Sequence, residues 1–456
     1  MHVHHSAEVQ DDLLAPAARK RARIVLSIIV LPLLIATIVG IVALHPGSNS
    51  RIGSLPQIAK GMDQARVRVV NQPLSSCQLS GTAAVGSNTV EQQLAQQNEQ
   101  SQQATGAPND AAGASLLGSA VCARVLSGQG AGMTVPVHVP PEFKSSIHAG
   151  TVIKVLYDPS QVSQGTPYMF WDVERSMPLA LLGILYVVLV IAVAGKRGFA
   201  ALIGLLASTV VLCGFIIPAL MSGSSPLLVT LVGSAAMLFV SVYIAHGVTI
   251  RTTTALLGTL VGLGITVMLA TWGVHASTLS GATNEDALTL YSYFPHMSMS
   301  ALLISGMVIA GLGALNDVTI TQASAVWELQ AANPEMGRWR LFSRAMRIGA
   351  DHIASTVYTL AFAYAGTALP TLMLAMMVRR PIGSLLVAGD IAEEVVRTLV
   401  ASIGLILAIP ITTALGTILV SAIGVDEERP AWHHRLRRKP LAPDDNMWEV
   451  PVDAEQ

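Results

Sequence analysis

The sequence is short of charge and of aromatic rings: 12% of its 456 residues are Asp, Glu, Lys or Arg and 5% are Phe, Trp or Tyr, against 52% hydrophobic residues. Soluble domains carry about 25% charged residues. The composition, with a mean hydropathy of +0.56, therefore excludes a wholly soluble globule and points to several membrane spans. A formal net charge of -1 removes any bulk electrostatic case for nucleic acid, and no nucleic-acid partner is expected. The chain also lacks a phosphate-binding loop, a His-Glu-x-x-His pair and a Gly-x-Ser-x-Gly elbow. Asp317 and Asp390 imitate an aspartyl-protease pair, but Gly389-Asp390 lacks the fuller Gly-x-Gly-Asp motif. No enzyme, cofactor or metal site is expected, and energy for any transport has to come from an ion gradient or a partner.

What the sequence does contain is apolar runs bordered by clustered cations. Residues 1–23 form a polar cytoplasmic tail ending in Arg19, Lys20, Arg21 and Arg23, and residues 24–44 follow as an almost uninterrupted apolar run. That run is too long for a signal peptide and has no Ala-x-Ala site, so it reads as an uncleaved first transmembrane helix. Residues 45–176 are polar and read as a small β-rich extracytoplasmic domain, a sandwich or partly open barrel. Its strands are expected at Arg66 to Val70, Val121 to Leu126, Thr134 to Val139 and Thr151 to Tyr157. A Gln-, Ala- and Asn-rich insert at residues 91–115 is too polar to fold on its own. Cys77 and Cys122 flank this insert, and both a disulfide and two unpaired thiols fit the pattern. Cys213, in an apolar run, reads as a small buried hydrophobe.

The multi-pass domain is read over residues 178–425, with a cytoplasmic tail at 426–456. Spans are expected at Pro178 to Gly195, Phe199 to Met221, Pro226 to His246, Thr252 to Gly273, Ala301 to Leu329 and Ala350 to Val378, with the last crossing inside Ile382 to Val425 and a break at Pro410. The fold class is thus mainly α, a polytopic transmembrane helical bundle of about eight spans. Clustered cations put both termini in the cytoplasm, although the Arg379/Arg380 turn runs against the bias. Gly258 and Gly262 form a Gly-x-x-x-Gly pair suited to close helix contact. Asn333 and Pro334 are expected to open an interfacial helix through Ile348 whose Arg340, Arg344 and Arg347 lie against anionic headgroups.

Charge inside the apolar runs is concentrated in the last three spans. A charge at a helix centre costs roughly 2.5–3.5 kcal/mol, so Asn316 and Asp317 demand compensation. Asp317, Thr321, Ser324 and Glu328 fall at i, i+4, i+7 and i+11 and form one stripe, expected to face protein or water. Asp351 and His352 open the next span, where Asp351 serves equally well as a helix cap paired with Arg347 or as a functional group. Glu393 and Glu394 open the last, with Asp390 and Glu393 in capping-box spacing and Glu393 and Arg397 at i, i+4. The candidate ion or substrate pathway is Asn316, Asp317, Thr321, Glu328, Asp351, His352, Glu393 and Glu394.

Three ordered segments, GLGALNDVTITQASAVWEL, RIGADHIASTVYTLAFAYAGTALP and GDIAEEVVRTLVASIGLILAIPITT, resemble the membrane core of the YibE/F-like family of bacterial multi-pass proteins. The resemblance covers roughly residues 178–425 and implies a bacterial cytoplasmic membrane protein, sometimes described as a permease; it brings no catalytic residues. The expected function is a secondary transporter or permease of unknown substrate, coupled to a proton or cation through buried carboxylates. The alternative is a non-transporting membrane assembly or sensory protein. Expected partners are the lipid bilayer, an unknown small solute or ion, and a second copy of the chain or an extracytoplasmic protein.

Overall fold

A computed structural model describes residues 16–46, 61–72, 77, 119–160, 167–377 and 381–423. The expected insert at 91–115, the Arg379/Arg380 turn, the C-terminal tail and most of the N-terminal tail lie outside these residues. The chain divides into two compact units, residues 52–193 and residues 1–51 with 194–456.

In the first unit, five strands close a barrel in the order β1-β2-β3-β5-β4: β1 (Asp63–Val69), β2 (Ser119–Ser127), β3 (Thr134–Val139), β4 (Val152–Tyr157) and β5 (Tyr168–Val173). Neighbours pair antiparallel except β3 and β5, which are parallel. Side chains alternate across each strand, so Ala65, Val67 and Val69 point inward to meet Val125, Val137, Ile153 and Val155. The barrel is closed, where the sequence left a sandwich or open barrel. The strand that closes it, β5, was not among the expected strands, because YMFWDV has no apolar–polar alternation to announce it. Cys77 and Cys122 are joined by a disulfide with Cα atoms 5.9 Å apart, which links the two sides of the long β1–β2 connection.

The helices are α1 (Pro16–Ala43), α2 (Ser176–Met221), α3 (Pro226–His246), α4 (Ile250–Ala276), α5 (Glu285–Tyr293), α6 (Met299–Ala332), α7 (Arg338–Thr367), α8 (Leu369–Met377), α9 (Ile382–Leu386) and α10 (Gly389–Ile423). Six of them are long and apolar enough to cross a membrane, or seven if the bent pair α7–α8 counts as one span. The difference from the expected eight lies in α2, a single helical tract that includes both expected runs. Its 46 residues are more than one crossing needs. It is interrupted at Gly195, whose φ of 58° and ψ of -133° are not helical, and has a π-helical turn at Leu212–Ile216. Cys213, on that turn, is exposed rather than buried.

Two further expectations change. The arginine-bearing interfacial helix is not separate: α7 starts at Arg338, with Gly337 as its N-cap, and runs without a break into the expected seventh span. Gly349 holds the two parts together, because its missing side chain lets α7 press against Ile409 and Gln322. Pro410 does not end α10, which continues to Ile423.

At the centre of the second unit, α4, α6 and α10 pack through small residues. Gly258 of α4 faces Thr412 of α10, Gly262 faces Ala408 and Leu315, Gly404 faces Thr266, and Gly273 faces Val396. Each step of four residues up α4 meets a step of four down α10, so the two helices are antiparallel. On the other side Gly311 of α6 meets Ala401, and Gly416 meets Val326 and Trp327, so α6 and α10 run parallel. Buried polar contacts join the same helices: Thr259 and Thr319 share a 2.6 Å hydrogen bond, and Gln322 donates to Ala345 O at 2.9 Å and to Thr413 Oγ1 at 2.7 Å. In an apolar solvent such packing and hydrogen bonds carry helix association, because lipid supplies no hydrophobic drive.

Two outcomes follow for purified protein. Gly258→Leu forces a side chain into Thr412 and should lower stability by about 1–3 kcal/mol, while Gly264→Leu, with open space around its Cα, should be near neutral; thermal unfolding in detergent separates them. Removing the disulfide with Cys77→Ser should cost the barrel about 2–4 kcal/mol, read as a lower unfolding temperature that reductant no longer changes.

Candidate functional site

The candidate site is built where α10 begins. Its first turns carry Glu393, Glu394 and Arg397, and the segment 277–284 that links α4 to α5 reaches Glu393. Glu393 is buried, 7% exposed, and accepts the Gly281 backbone N–H at 3.2 Å; Thr283 supplies a side-chain hydrogen bond to the same carboxylate. Gly281 has φ of +73°, and a Cβ there would collide with the carbonyl of Met299, so glycine is needed for the backbone to reach Glu393. Glu394 pairs with Arg397 at 3.5 Å. Tyr364 of α7 lies within electrostatic range of both.

Two atoms of this group are unsatisfied. Among the described residues Glu394 Oε2 and Arg397 Nε are buried and have no hydrogen-bond partner, an arrangement whose cost is of order 1–3 kcal/mol or more per group. Close to Tyr364, α7 ends at Thr367 and α8 leaves at an angle of 66°. The bend comes at Gly366-Thr367-Ala368-Leu369-Pro370, where proline cannot continue the ladder and glycine adds little stiffness. A buried acceptor and a buried donor that find no hydrogen-bond partner among the described residues are groups whose chemistry suits a small cation, a proton or a polar group.

The eight residues selected from sequence do not meet at one point. Gly311 lies beside Ala401 and Gln322 bonds Thr413, so Asp317 is level with the middle of α10, about 20 Å along the helix from Glu393 and Glu394. Asp351 lies two residues from Gly349, which packs on Ile409 of α10, and is also far from the pair. Asp351 is exposed and His352 half-buried; among the described residues Asp351 makes no ion pair with Arg347, and it sits inside α7 rather than at its cap. Glu393 pairs with the 281–283 segment instead of Arg397, which turns to Glu394.

Asp317 holds the largest surprise. It is exposed, Thr321 is half-buried and Glu328 is exposed, so the stripe lies on the outward side of α6 rather than against the bundle. Gly306, Ala310 and Gly313 continue the same line and are exposed too. Asn316, one residue around the helix, has a buried Oδ1 that finds no hydrogen-bond partner among the described residues. Asp317 lies within electrostatic range of His246 at the end of α3, on which Arg251 of α4 and Arg197 of α2 also act. Sequence spacing could not announce that neighbourhood, since its members come from four helices. Gln322, which ties α6 to α7 and α10, was also missed, although a glutamine in mid-span is itself a signal.

No curated protein and no solved structure matches the chain. A family model described as YibE/F-like protein matches residues 182–422, more than half of the sequence and all the helices that build the site, and the chain belongs to that family.

Proposed function

We propose that the protein is a secondary transporter or permease of a small solute or ion, with a proton or cation taken up at Glu393 and Glu394. The observation that carries this reading is the pair of buried, partnerless atoms, Glu394 Oε2 and Arg397 Nε, beside the 66° break between α7 and α8. Broken helices expose backbone groups to a ligand within a membrane, and a proton or cation at Glu394 would supply what its second oxygen lacks. In this reading the two halves of α2 on either side of Gly195 each cross the bilayer, which makes eight spans with α7–α8 as one. Both termini are then cytoplasmic, the barrel is extracytoplasmic, and the membrane is the bacterial plasma membrane.

Proteoliposomes loaded with a pH-sensitive dye test this directly. Under a potassium diffusion potential, wild-type protein should move protons above the rate of empty liposomes, and Glu394→Gln should lower that rate tenfold or more. A wild-type rate equal to that of empty liposomes sinks the transport reading; an undiminished rate in a folded Glu394→Gln variant removes Glu394 from it.

A second reading, a membrane assembly protein without transport, draws on the outward stripe of Gly306, Ala310, Gly313, Asp317, Thr321, Ser324 and Glu328. Small and polar residues suit a second helix better than lipid. Here Asp317→Asn should shift the oligomeric mass measured by light scattering and leave any proton flux unchanged. An unchanged mass argues against a protein contact at this face.

A further inference from the structure

The outward face of β1, β2 and β4 gathers cations. Arg66 and Arg68 alternate with the inward-facing Ala65, Val67 and Val69. The register sets Arg68 directly opposite Arg124 on β2 and Arg66 directly opposite Lys154 on β4. Like charges facing each other weaken a sheet. Lys154 is compensated by Glu174 at 3.6 Å, and Arg175 beyond β5 by Asp172; the Arg175 hydrogen bond holds the Asp172 carboxyl below its ordinary range. The other three are different. Among the described residues Arg66 donates to Ser127 Oγ at 3.4 Å and to no other group, and neither Arg68 nor Arg124 has an ion-pair partner.

Their position in the barrel says what meets them. The chain leaves β5 at Val173 and enters α2 at Ser176. Val173 pairs with Ile153 and Ile153 with Val67, and the next row joins Glu174 N to Val152 O, with Val152 opposite Arg68 and Arg68 opposite Arg124. At about 4.8 Å per strand, Arg68 is about 10 Å and Arg124 about 15 Å from Glu174, two residues before α2. Trp171, 51% exposed, and Arg175 flank the same turn, an aromatic and a cation where a helix enters a bilayer.

We propose that Arg66, Arg68 and Arg124 form a docking face for the phosphates of anionic lipid headgroups in the leaflet that α2 enters at Ser176. The face holds the barrel on the membrane surface, and the lipid phosphates supply the anions that the opposed arginines do not find among the described residues. It rests on the reading of α2 as a span, and is independent of transport. Each basic residue at an anionic surface raises binding about fivefold.

Native mass spectrometry of the full chain released from nanodiscs of mixed phosphatidylglycerol and phosphatidylcholine is the test. Wild-type protein should retain phosphatidylglycerol in preference to phosphatidylcholine. Arg68→Gln/Arg124→Gln should lower that preference at least fivefold with an unchanged unfolding temperature, while Gln64→Ala on the same face should not. Incorporation into nanodiscs reports on the span separately, so a chain that incorporates but shows the same preference in the double variant overturns the lipid assignment alone. Loss of the preference in millimolar inorganic phosphate, or displacement of the lipid by a soluble polyanion at low salt, would assign the face to a free anion or polymer and overturn it as well.

Discussion

The contact on which the rest of the helical unit depends is the approach of α4 to α10 at Gly258, Gly262 and Gly404. Lipid tails are as apolar as leucine, so burying leucine against leucine gains little in a membrane. What a helix pair gains is close van der Waals contact, and that requires small residues where the axes come nearest. The Gly258–Thr412, Gly262–Ala408 and Thr266–Gly404 pairs fix both the antiparallel direction and the register of α4 and α10. Once those are fixed, α6 has one place to lie, with Gly311 on Ala401 and Gly416 on Val326. Gln322 can then reach Ala345 and Thr413 together, which fastens α7. A residue with a side chain at Gly258 therefore disturbs more than one pair.

This scaffold explains why the charges are separated. Parallel α6 and α10 hold Asp317 and Glu393 at different heights, and no rotation of either helix brings them together. Sequence reading grouped them because consecutive spans carried consecutive charges, but order along the chain says nothing about height in the bundle. Capping logic failed at Glu393 for a related reason. The i, i+4 spacing to Arg397 is a statement about one isolated helix, whereas Gly281, more than a hundred residues earlier, offers a backbone N–H at 3.2 Å and draws the carboxylate away. Arg397 is left to Glu394.

Much was legible where the pattern is strictly local. The apolar runs, the Gly-x-x-x-Gly contact and four of the five strands could be read from spacing and composition, and three ordered segments resemble the family to which the chain belongs. The rest depended on partners distant in sequence. Strand β5 lacks alternation because its outward side carries Met169 and Trp171, both about half exposed, where a polar residue would have marked it. The interfacial helix and seventh span fuse because Gly349, which looks like a breaker, is needed for contact with Ile409 and Gln322 rather than for a turn.

Asp317 shows how far an argument from burial reaches. A mid-span carboxylate is costly in lipid, and that cost led to the expectation that the stripe faced protein or water; this chain's own bundle is not what it faces. The bundle side of α6 is already filled by Leu312, Leu315, Val318 and Gln322, all buried, and has no room for a row of polar groups. The stripe therefore lies outward, in line with Gly306, Ala310 and Gly313, whose Cα atoms lie open. The energetic demand of a mid-span carboxylate therefore falls on the outward side of α6, where small residues stand at one end of the line and polar acceptors at the other.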